Sequence, residues 1–449
     1  MIIPTLMLTP RRPTLLSGFN NTLEVLVRVQ APDAPVDNAP PRTALNLALV
    51  LDHSGSMSGQ PLLEAKRCAD YVIDGLRTTD RAALVVYDNT IQVLVPSHQV
   101  TDKQRFHEAL RQVNEGGSTN LHGGWLKGAE EVSVHVSNNA LSRVVLLSDG
   151  QANTGITDPN TIFAQCAKLA AAGVTTSTYG LGRNFNEDLM LGMARAGQGS
   201  AYYGCTADDL MDPFQEEFDL LSALFAKQIT LRVTVPSGVK THVLNNYLTT
   251  SEGVYRLPDL AYAGEAWALL RLTIPKGFIL NGPGENRIKV LEAAVSFKDL
   301  DGNVHTLPVA ELTLPTLPLN AWHAVAEDEL VARRAAEIDA AALQERAQRA
   351  ARRGDWSEVT RLLDEAKRNA KGNAWLQAVV NKLEALAAAR DGIMFSKESA
   401  YSAQRMRARL SEKGEPAAHP DPACAPPLYL RRKVEQGKKE NGASETKKD

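Results

Sequence analysis

The stretch Asn46–Met57, which reads NLALVLDHSGSM, constrains the fold of this chain more than any other stretch. It begins as an uninterrupted apolar run, which is typical of a strand buried on both faces of a parallel sheet. It ends in the pattern Asp-x-Ser-x-Ser, formed by Asp52, Ser54 and Ser56. One carboxylate and two hydroxyls in one loop offer hard oxygen ligands, and such ligands select hard cations such as Mg²⁺. The pattern therefore indicates a buried strand that carries part of a metal site.

Apolar runs and helical patterns alternate between residues 44 and 225. The predicted strands are Leu47–Leu51, Ala82–Tyr87, Ile91–Val95, Val144–Ser148, Val174–Tyr179 and Ala201–Tyr203. The predicted helices are Pro61–Leu76, Asp102–Val113, Leu121–Val136, Pro159–Ala171, Glu187–Ala196 and Thr206–Phe225. This alternation predicts an α/β domain with a doubly wound, mostly parallel sheet covered by helices on both faces.

The segments on either side of this domain alternate with a period of two, as half-buried strands do. Residues 1–43 contain the alternating strand Leu23–Val29, and residues 226–320 contain further strands around Ile229–Val235 and Leu270–Ile274. We expect both flanks to build one antiparallel β-sandwich, so that the α/β domain (44–225) is an insertion in it.

The C-terminal part of the chain changes character twice. Residues 321–411 are rich in Ala, Arg and Glu and are predicted to be helical. Within them, Ala341–Leu363 resembles one helical hairpin of tetratricopeptide type, whereas a helical bundle cap or a dimer element is the other interpretation. Residues 412–449 are charged and polar, and this composition predicts a disordered tail.

Two more oxygen-bearing residues stand where the chain should return to the edge that carries Asp52. Thr119 lies in GGSTN, just before a predicted helix, and Asp149 directly follows a predicted strand. The carboxyl ends of parallel strands meet at one edge of a sheet, where ligands bind. Taken alone, Ser54, Ser56 and Thr119 could each be turn or helix-capping residues, and Asp149 could be a turn residue. Together with Asp52 they supply two carboxylates and three hydroxyls, and water would complete an octahedron.

DHSGS, the threonine of GGSTN and the aspartate of SDG resemble the three parts of the metal-ion-dependent adhesion site of von Willebrand factor type A domains. The resemblance covers residues 44–225 and implies a Mg²⁺ at the top of a doubly wound sheet. It implies that Asp52, Ser54 and Ser56 belong to the first metal loop, Thr119 to the second and Asp149 to the third, often through water. All these positions are filled here. The flanking segments are similar to bacterial cytoplasmic proteins that carry this domain, and inter-α-trypsin-inhibitor heavy chains share the GGSTN-type loop.

Bulk composition narrows the class of protein. The 449 residues carry a net charge of −3, which argues against a general nucleic-acid or membrane-surface binder. The four cysteines form no C-x-x-C pair, so no zinc knuckle or redox motif is present. The N-terminal MIIPTLML lacks a basic region, and no apolar run reaches the roughly 18 residues that a membrane-spanning helix needs. We therefore expect a cytoplasmic protein without a signal peptide.

These patterns predict a binding module rather than an enzyme. We expect a divalent cation, Mg²⁺ with Mn²⁺ or Ca²⁺ also suited, to bind an Asp or Glu of a partner protein. The chain has no G-x-x-x-x-G-K-[ST] phosphate loop, and Gly55–Gly59 places Met57 where G-x-S-x-G requires serine. One alternative is an accessory subunit of an ATPase, metal-insertion or kinase–phosphatase complex. Another is a scaffold that the metal only stabilises. The pattern assigns neither the partner's identity nor an oligomeric state.

Overall fold

The computed structural model describes residues 3–33, 43–137, 140–183, 185–204, 206–250, 252–280, 287–408 and 411–412. The chain divides into two compact units. Of the described residues, the β unit contains those within 1–41, those within 223–384 and those from 402 onward. The α/β unit contains the described residues within 42–222 and within 385–401. The tail predicted over 412–449 lies outside the described residues except for Glu412.

Strands and helices follow one another in the predicted order. The strands are β1 (Thr5–Pro10), β2 (Leu15–Leu16), β3 (Asn21–Gln30), β4 (Ala44–Asp52), β5 (Arg81–Tyr87), β6 (Ile91–Gln99), β7 (Ala140–Ser148), β8 (Val174–Leu181), β9 (Gln198–Gly204), β10 (Leu224–Thr234), β11 (Lys240–Val243), β12 (Tyr255–Arg256), β13 (Leu260–Ala261), β14 (Gly264–Ile274), β15 (Arg287–Lys298), β16 (Val304–Thr306), β17 (Ala310–Leu317) and β18 (Ser411–Glu412). The helices are α1 (Gln60–Gly75), α2 (Gln104–Gln112), α3 (Leu121–Ser133), α4 (Pro159–Ala171), α5 (Glu187–Ala196), α6 (Asp208–Ser222), α7 (Lys276–Leu280), α8 (Leu319–Ala324), α9 (Glu329–Arg352), α10 (Trp356–Asn369), α11 (Ala374–Ala388) and α12 (Gly392–Ala408).

The α/β unit is built on one sheet with the strand order β6-β5-β4-β7-β8-β9. All neighbouring strands in it are parallel except β5 and β6, which form the predicted antiparallel hairpin. On one face, Ala48 and Val50 of β4 pack with Trp125 of α3 in a core that α4 and α5 also enter. On the other face, Leu47 lines a small cavity with Val72 of α1, and Phe214 of α6 lies beside them. Helices thus cover both faces, and the predicted doubly wound fold is confirmed.

The β unit contains two sheets that share one core. One has the order β1-β3-β14-β11, and the other has the order β12-β10-β15-β17-β2. The strand β3 pairs antiparallel with β14 along its whole length, with Leu23 opposite Leu272. Apolar residues of both sheets, among them Val25, Ile229 and Val295, pack in a common cluster. The sandwich is therefore built from both flanks of the inserted α/β unit, as the alternation of apolar residues predicts.

The helix α9 covers the outer face of the first sheet of the sandwich. Val331, Ala335 and Ile338 pack against Trp267 and Leu269 of β14. The guanidinium of Arg334 lies 4.7 Å from the centroid of the Trp267 ring. The helix continues to Arg352, and a turn at Gly354 with φ of +73° leads into α10. α9 thus covers one face of the sandwich, and α10 packs against α9.

Several predicted boundaries differ from the observed ones by a few residues, and two of the differences change which unit a residue belongs to. The helix predicted over Thr206–Phe225 ends at Ser222, and Phe225 already belongs to β10. The apolar residues of the sandwich strand continue the apolar pattern of the helix, which hides the boundary. The helical region predicted over 321–411 is also divided, because Ala385–Tyr401 packs with the α/β unit.

Among the described helices, none combines the length and the apolar character that crossing a lipid bilayer requires.

Candidate metal centre

Three loops meet at the carboxyl edge of the α/β sheet. Asp52 ends β4, and Asp149 directly follows β7, which lies beside β4 with Leu51 opposite Leu147. The parallel register places the ends of both strands side by side. Thr119 lies in the loop before α3. The first loop (52–59), the second loop (115–120) and the third loop (149–157) are linked to one another by the hydrogen bonds described below.

Asp52 is fully buried and receives three hydrogen bonds. Its Oδ1 accepts the backbone N–H of Ser54 at 2.9 Å, and its Oδ2 accepts the hydroxyls of Ser148 at 2.6 Å and Tyr87 at 3.1 Å. Burial raises the pKa of Asp52 above its usual value, because it disfavours the charged carboxylate. The hydrogen bonds of Ser148 and Ser54 oppose that rise, whereas the negative charge of Asp149 adds to it. The two carboxylates are therefore close enough to repel each other.

The two serine hydroxyls of the first loop lie next to each other. The Oγ atoms of Ser54 and Ser56 are 3.2 Å apart. Ser54 is buried and Ser56 is exposed, so this pair runs from the interior towards solvent. Ser54 precedes a short 3₁₀ turn, Gly55–Met57, but its side chain does not cap it. The N-cap alternative for Ser54 therefore does not hold.

Backbone hydrogen bonds join the second loop to the first. The N–H of Gly55 donates to Gly117 O at 2.8 Å, and the N–H of Gly116 donates to His53 O at 2.7 Å. Asp88, at the tip of the β5–β6 hairpin, accepts the N–H of Gly117 at 2.9 Å. A Cβ at Gly116 would lie 2.3 Å from Asp88 Oδ2, so this close approach needs a glycine. Burial acts to raise the pKa of Asp88, but hydrogen bonds from Thr90 and Gly117 hold it below its usual value.

Thr119 links the second loop to the third through its backbone. Its N–H donates to Asn153 Oδ1 at 2.7 Å, and its carbonyl accepts the N–H groups of Asn153 at 3.1 Å and Thr154 at 3.2 Å. The N-cap of α3 is Asn120, whose side chain accepts the N–H of Gly123. Thr119 is therefore not a capping residue. The residue is buried, and in the described part of the chain its hydroxyl makes no hydrogen bond that would hold it in a purely structural role.

Asp149 has the geometry of a turn residue as well as a place beside Asp52. Its Oδ1 accepts the N–H of Gln151 at 3.1 Å, as the turn alternative requires. The next N–H, of Gly150, donates to Ser148 Oγ, which in turn donates to Asp52. On its other side, the Asp149 carbonyl accepts the N–H of Asn186 at 2.8 Å. The turn hydrogen bond therefore leaves Asp149 in its position beside Asp52.

The donor set fits a divalent cation. Asp52 and Asp149 are 0% and 5% exposed, yet neither forms an ion pair with a Lys, Arg or His among the described residues. Two buried carboxylates without a cation are costly, and in proteins such charges are paired or bind metals. The neutral hydroxyls of Ser54, Ser56 and Thr119 add oxygen ligands without adding charge. This chemistry suits Mg²⁺, Mn²⁺ or Ca²⁺ rather than a metal that prefers thiolate or imidazole.

The sequence alone did not identify the residues that hold the candidate ligands in place. Tyr87 stands opposite Asp52 in the register of β5 and β4, and Ser148 precedes Asp149 in the same strand end. Both positions could have been predicted from the sequence, because one lies opposite a candidate ligand in the neighbouring strand and the other precedes a candidate ligand in the chain. Nothing in the sequence indicates the roles of Asp88 and Asn153, because each accepts a hydrogen bond from a backbone N–H of another loop.

Comparisons with known proteins relate this part of the chain to one domain family. The model of the family described as von Willebrand factor type A domain matches residues 46–216. Uncharacterized protein sll0103 of Synechocystis is 31% identical over 193 residues, 42% of this chain and 44% of that protein. Inter-alpha-trypsin inhibitor heavy chain H3 of Pongo abelii is 25% identical over 183 residues, 38% of this chain and 21% of that protein. The chain thus spans less than half the length of these curated relatives.

A solved structure extends the likeness beyond the α/β unit. The von Willebrand factor type A structure from Catenulispora acidiphila aligns with a TM-score of 0.68 at 15% identity, and the alignment covers 89% of this chain and 97% of that one. At this identity the likeness shows the fold alone. The fold resemblance that DHSGS, GGSTN and SDG carry is therefore confirmed.

Proposed function

We propose, for a chain that carries a von Willebrand factor type A domain over residues 46–216, that this domain binds a partner protein through a divalent cation. Asp52, Ser54, Ser56, Thr119 and Asp149 would hold the cation, which we propose to be Mg²⁺. The observation that carries the proposal is the buried, cation-free pair of Asp52 and Asp149 beside the adjacent hydroxyls of Ser54 and Ser56.

The chain's own residues prepare the site in two ways. Ser148, Tyr87 and the Ser54 N–H hold the Asp52 carboxylate in one orientation. The backbone bonds between the loops fix the positions of Thr119 and Asp149. A site whose ligands are already oriented loses little entropy when the ion arrives. The bound cation would supply an electrophilic centre that attracts a further carboxylate.

The direction of approach follows from burial. Asp52, Ser54, Thr119 and Asp149 are buried, whereas Ser56 is exposed. A partner would therefore reach the ion from the side of Ser56. Three of the five proposed ligands are neutral hydroxyls, so the ion would keep electrophilic character towards a carboxylate from an Asp or Glu of the partner. This is why a protein carboxylate is the partner chemistry that we propose.

The proposal extends to the functional class of the protein and to its location in the cell. We propose a non-enzymatic binding module that acts in the cytoplasm. Cys68 and Cys166, which are free and buried thiols, suit a reducing compartment. Burial also raises their thiol pKa values, so these groups are poor nucleophiles.

The test is a titration of the full chain with Mg²⁺, with Asp52→Asn as the variant and Asp364→Asn on exposed α10 as the matched control. We expect Asp52→Asn to weaken Mg²⁺ binding by at least about 100-fold, since loss of a residue that merely supports a ligand already costs about 10–100-fold. Wild type and Asp364→Asn should bind alike.

Thermal melting separates loss of metal from loss of fold. Asp52→Asn removes a buried charge that has no counter-ion among the described residues, so in chelator its melting temperature should equal or exceed that of the wild type. In excess Mg²⁺ the order should reverse, since a ligand at about 100 times its Kd stabilises the folded state by about 2.7 kcal/mol. Equal Mg²⁺ affinities for wild type and Asp52→Asn would refute the assignment.

A further inference from the structure

A lysine far from the metal loops in sequence is buried beside them. Lys397 lies on α12 within the α/β unit, outside the residues that the family model matches. Its side chain is 3% exposed. Its ammonium donates to Phe185 O at 2.7 Å, pairs with Glu187 at 3.1 Å and lies 4.1 Å from the centroid of the Phe185 ring. These partners are Phe185, in the loop after β8, and Glu187, the first residue of α5, so all the printed contacts of the Lys397 ammonium are to one short segment.

One peptide group joins this lysine to the third metal loop. Lys397 binds the carbonyl of Phe185, and the Asp149 carbonyl accepts the N–H of Asn186 at 2.8 Å. The carbonyl of residue 185 and the N–H of residue 186 belong to the same planar unit. An ammonium on the oxygen polarises this unit and strengthens the bond that its N–H donates. The position of Asp149 is thus tied to Lys397 through one rigid plane.

The third loop has little room to move away from that plane. A Cβ at Gly150, which has φ of +67°, would lie 3.2 Å from Asn186 O and 3.0 Å from Met190 Cγ. On the opposite side, the Gly150 N–H binds Ser148, which binds Asp52. The backbone around Asp149 is therefore held between the buried carboxylate of the first loop and the peptide that Lys397 binds.

The segment that carries Lys397 is itself anchored in the α/β unit. The rings of Phe185, Tyr203 and Tyr401 form a cluster with centroid separations of 4.7–5.9 Å. The Tyr203 hydroxyl donates to Glu398, next to the lysine. Arg183 forms an ion pair with Asp391, which precedes the helix. These contacts hold the helix, and Lys397 donates to the carbonyl of the peptide whose N–H binds Asp149.

We propose that Lys397 is a positioning residue of the metal centre. Through it, residues 392–401 of α12 would help to hold the metal-binding loops in place. This inference rests on the proposed function. The coupling free energy between two sites is the same in both directions. If α12 stabilises the metal-bound site, the bound metal therefore stabilises α12 by the same free energy.

Full-length Lys397→Met tests the proposal, because methionine keeps an apolar stem and removes the ammonium. We expect its Mg²⁺ affinity, measured by calorimetric titration, to fall about 10-fold. Lys397→Arg, which keeps a cation and donors, should recover most of that loss. Lys168→Met, at an exposed position on α4, should bind Mg²⁺ like the wild type.

A second variant distinguishes positioning from general stability. Tyr203→Phe removes the hydrogen bond to Glu398 and leaves the contacts of Lys397 in place. It should lower the melting temperature without changing Mg²⁺ affinity. If Lys397→Met lowers the melting temperature and binds Mg²⁺ within twofold of wild type, the lysine is merely structural and the inference is overturned, while the proposed function stands. A wild type that binds no Mg²⁺ removes the proposed function and the inference together.

Hydrogen exchange on the wild-type protein gives an independent readout that needs no variant. Mg²⁺ should slow exchange of the Asn186 amide and of the amides in 392–401. Should Lys397→Met fail to fold, this measurement decides alone. Slowing in both places supports the proposal, and Mg²⁺ binding that leaves residues 392–401 unchanged overturns it.

Discussion

Thr119 offers the sharpest single-residue test of whether the three loops converge on one ion. Its backbone already binds Asn153 and Thr154, so a substitution that keeps the β-branched shape leaves those contacts intact. Thr119→Val removes only the hydroxyl, and we expect Mg²⁺ affinity to fall by at least about 10-fold. Thr119→Ser keeps the oxygen and should bind Mg²⁺ close to wild type.

The measurement is a Mg²⁺ titration of both variants, with melting temperatures in chelator as the control for folding. The two variants should melt near each other, because each change alters only one group of the side chain: the hydroxyl in Thr119→Val and the methyl in Thr119→Ser. If Thr119→Val and Thr119→Ser bind Mg²⁺ equally well, the hydroxyl is not a ligand.

The sequence could predict some residues of the candidate site and not others, for a physical reason. Asp52, Ser54 and Ser56 lie within five positions of one another, so their spacing alone groups them. Thr119 and Asp149 could be added because parallel strands end at one edge of a sheet. Lys397 could not, because a lysine on a helix normally faces solvent and nothing local shows that Phe185 receives it.

At the scale of elements, a buried ion pair ties α6 to the sheet. Glu217 of α6 accepts hydrogen bonds from Arg143 of β7 and from Ser177 and Tyr179 of β8. Arg143 also donates to Thr175 at 2.9 Å. Both charged residues are almost fully buried: Arg143 is 5% exposed and Glu217 is 4% exposed. Breaking such a pair leaves one charge uncompensated, whereas replacing both partners with apolar residues is often neutral or stabilising.

We therefore expect Glu217→Leu to destabilise the α/β unit by about 3–5 kcal/mol, and Arg143→Met to do so by a similar amount. The double variant Arg143→Met with Glu217→Leu should recover most of that loss. Denaturant unfolding, monitored through amide exchange in β7 and β8, measures each change. Additive losses in the double variant would contradict this account of the pair.

The limits of prediction from sequence at this scale appear in α6 itself. Pro213 lies inside the helix, and the strand β10 begins two residues after the helix ends. A pattern of apolar residues that runs unbroken through both elements predicts a helix extending to Phe225. The structure identifies the strand by its pairing, since Leu224 and Ala226 pair with β13 and the residues from Lys227 onward pair with β15.

At the scale of the whole molecule, the insertion of one unit in the other was predictable and the path of the C-terminal helices was not. Residues 23–29 and 229–235 share a period of two, and a lone strand of that kind must pair with others. The helices over 321–411 are all rich in Ala and charged residues, so composition gives no reason to divide them. The division after Glu384 follows from packing of Met394 and Tyr401 with the core of the α/β unit.

The last prediction concerns the complete chain and its partner. If a partner's carboxylate completes the coordination of the ion, capture of that partner requires the metal as well as the protein surface. Immobilised full-length protein should retain a partner from host lysate in Mg²⁺ and release it in chelator. Asp52→Asn should retain none of it in either buffer, and Asp364→Asn should behave as the wild type. A partner that stays bound in chelator and binds Asp52→Asn equally would show that the surface around the loops, and not the cation, makes the contact.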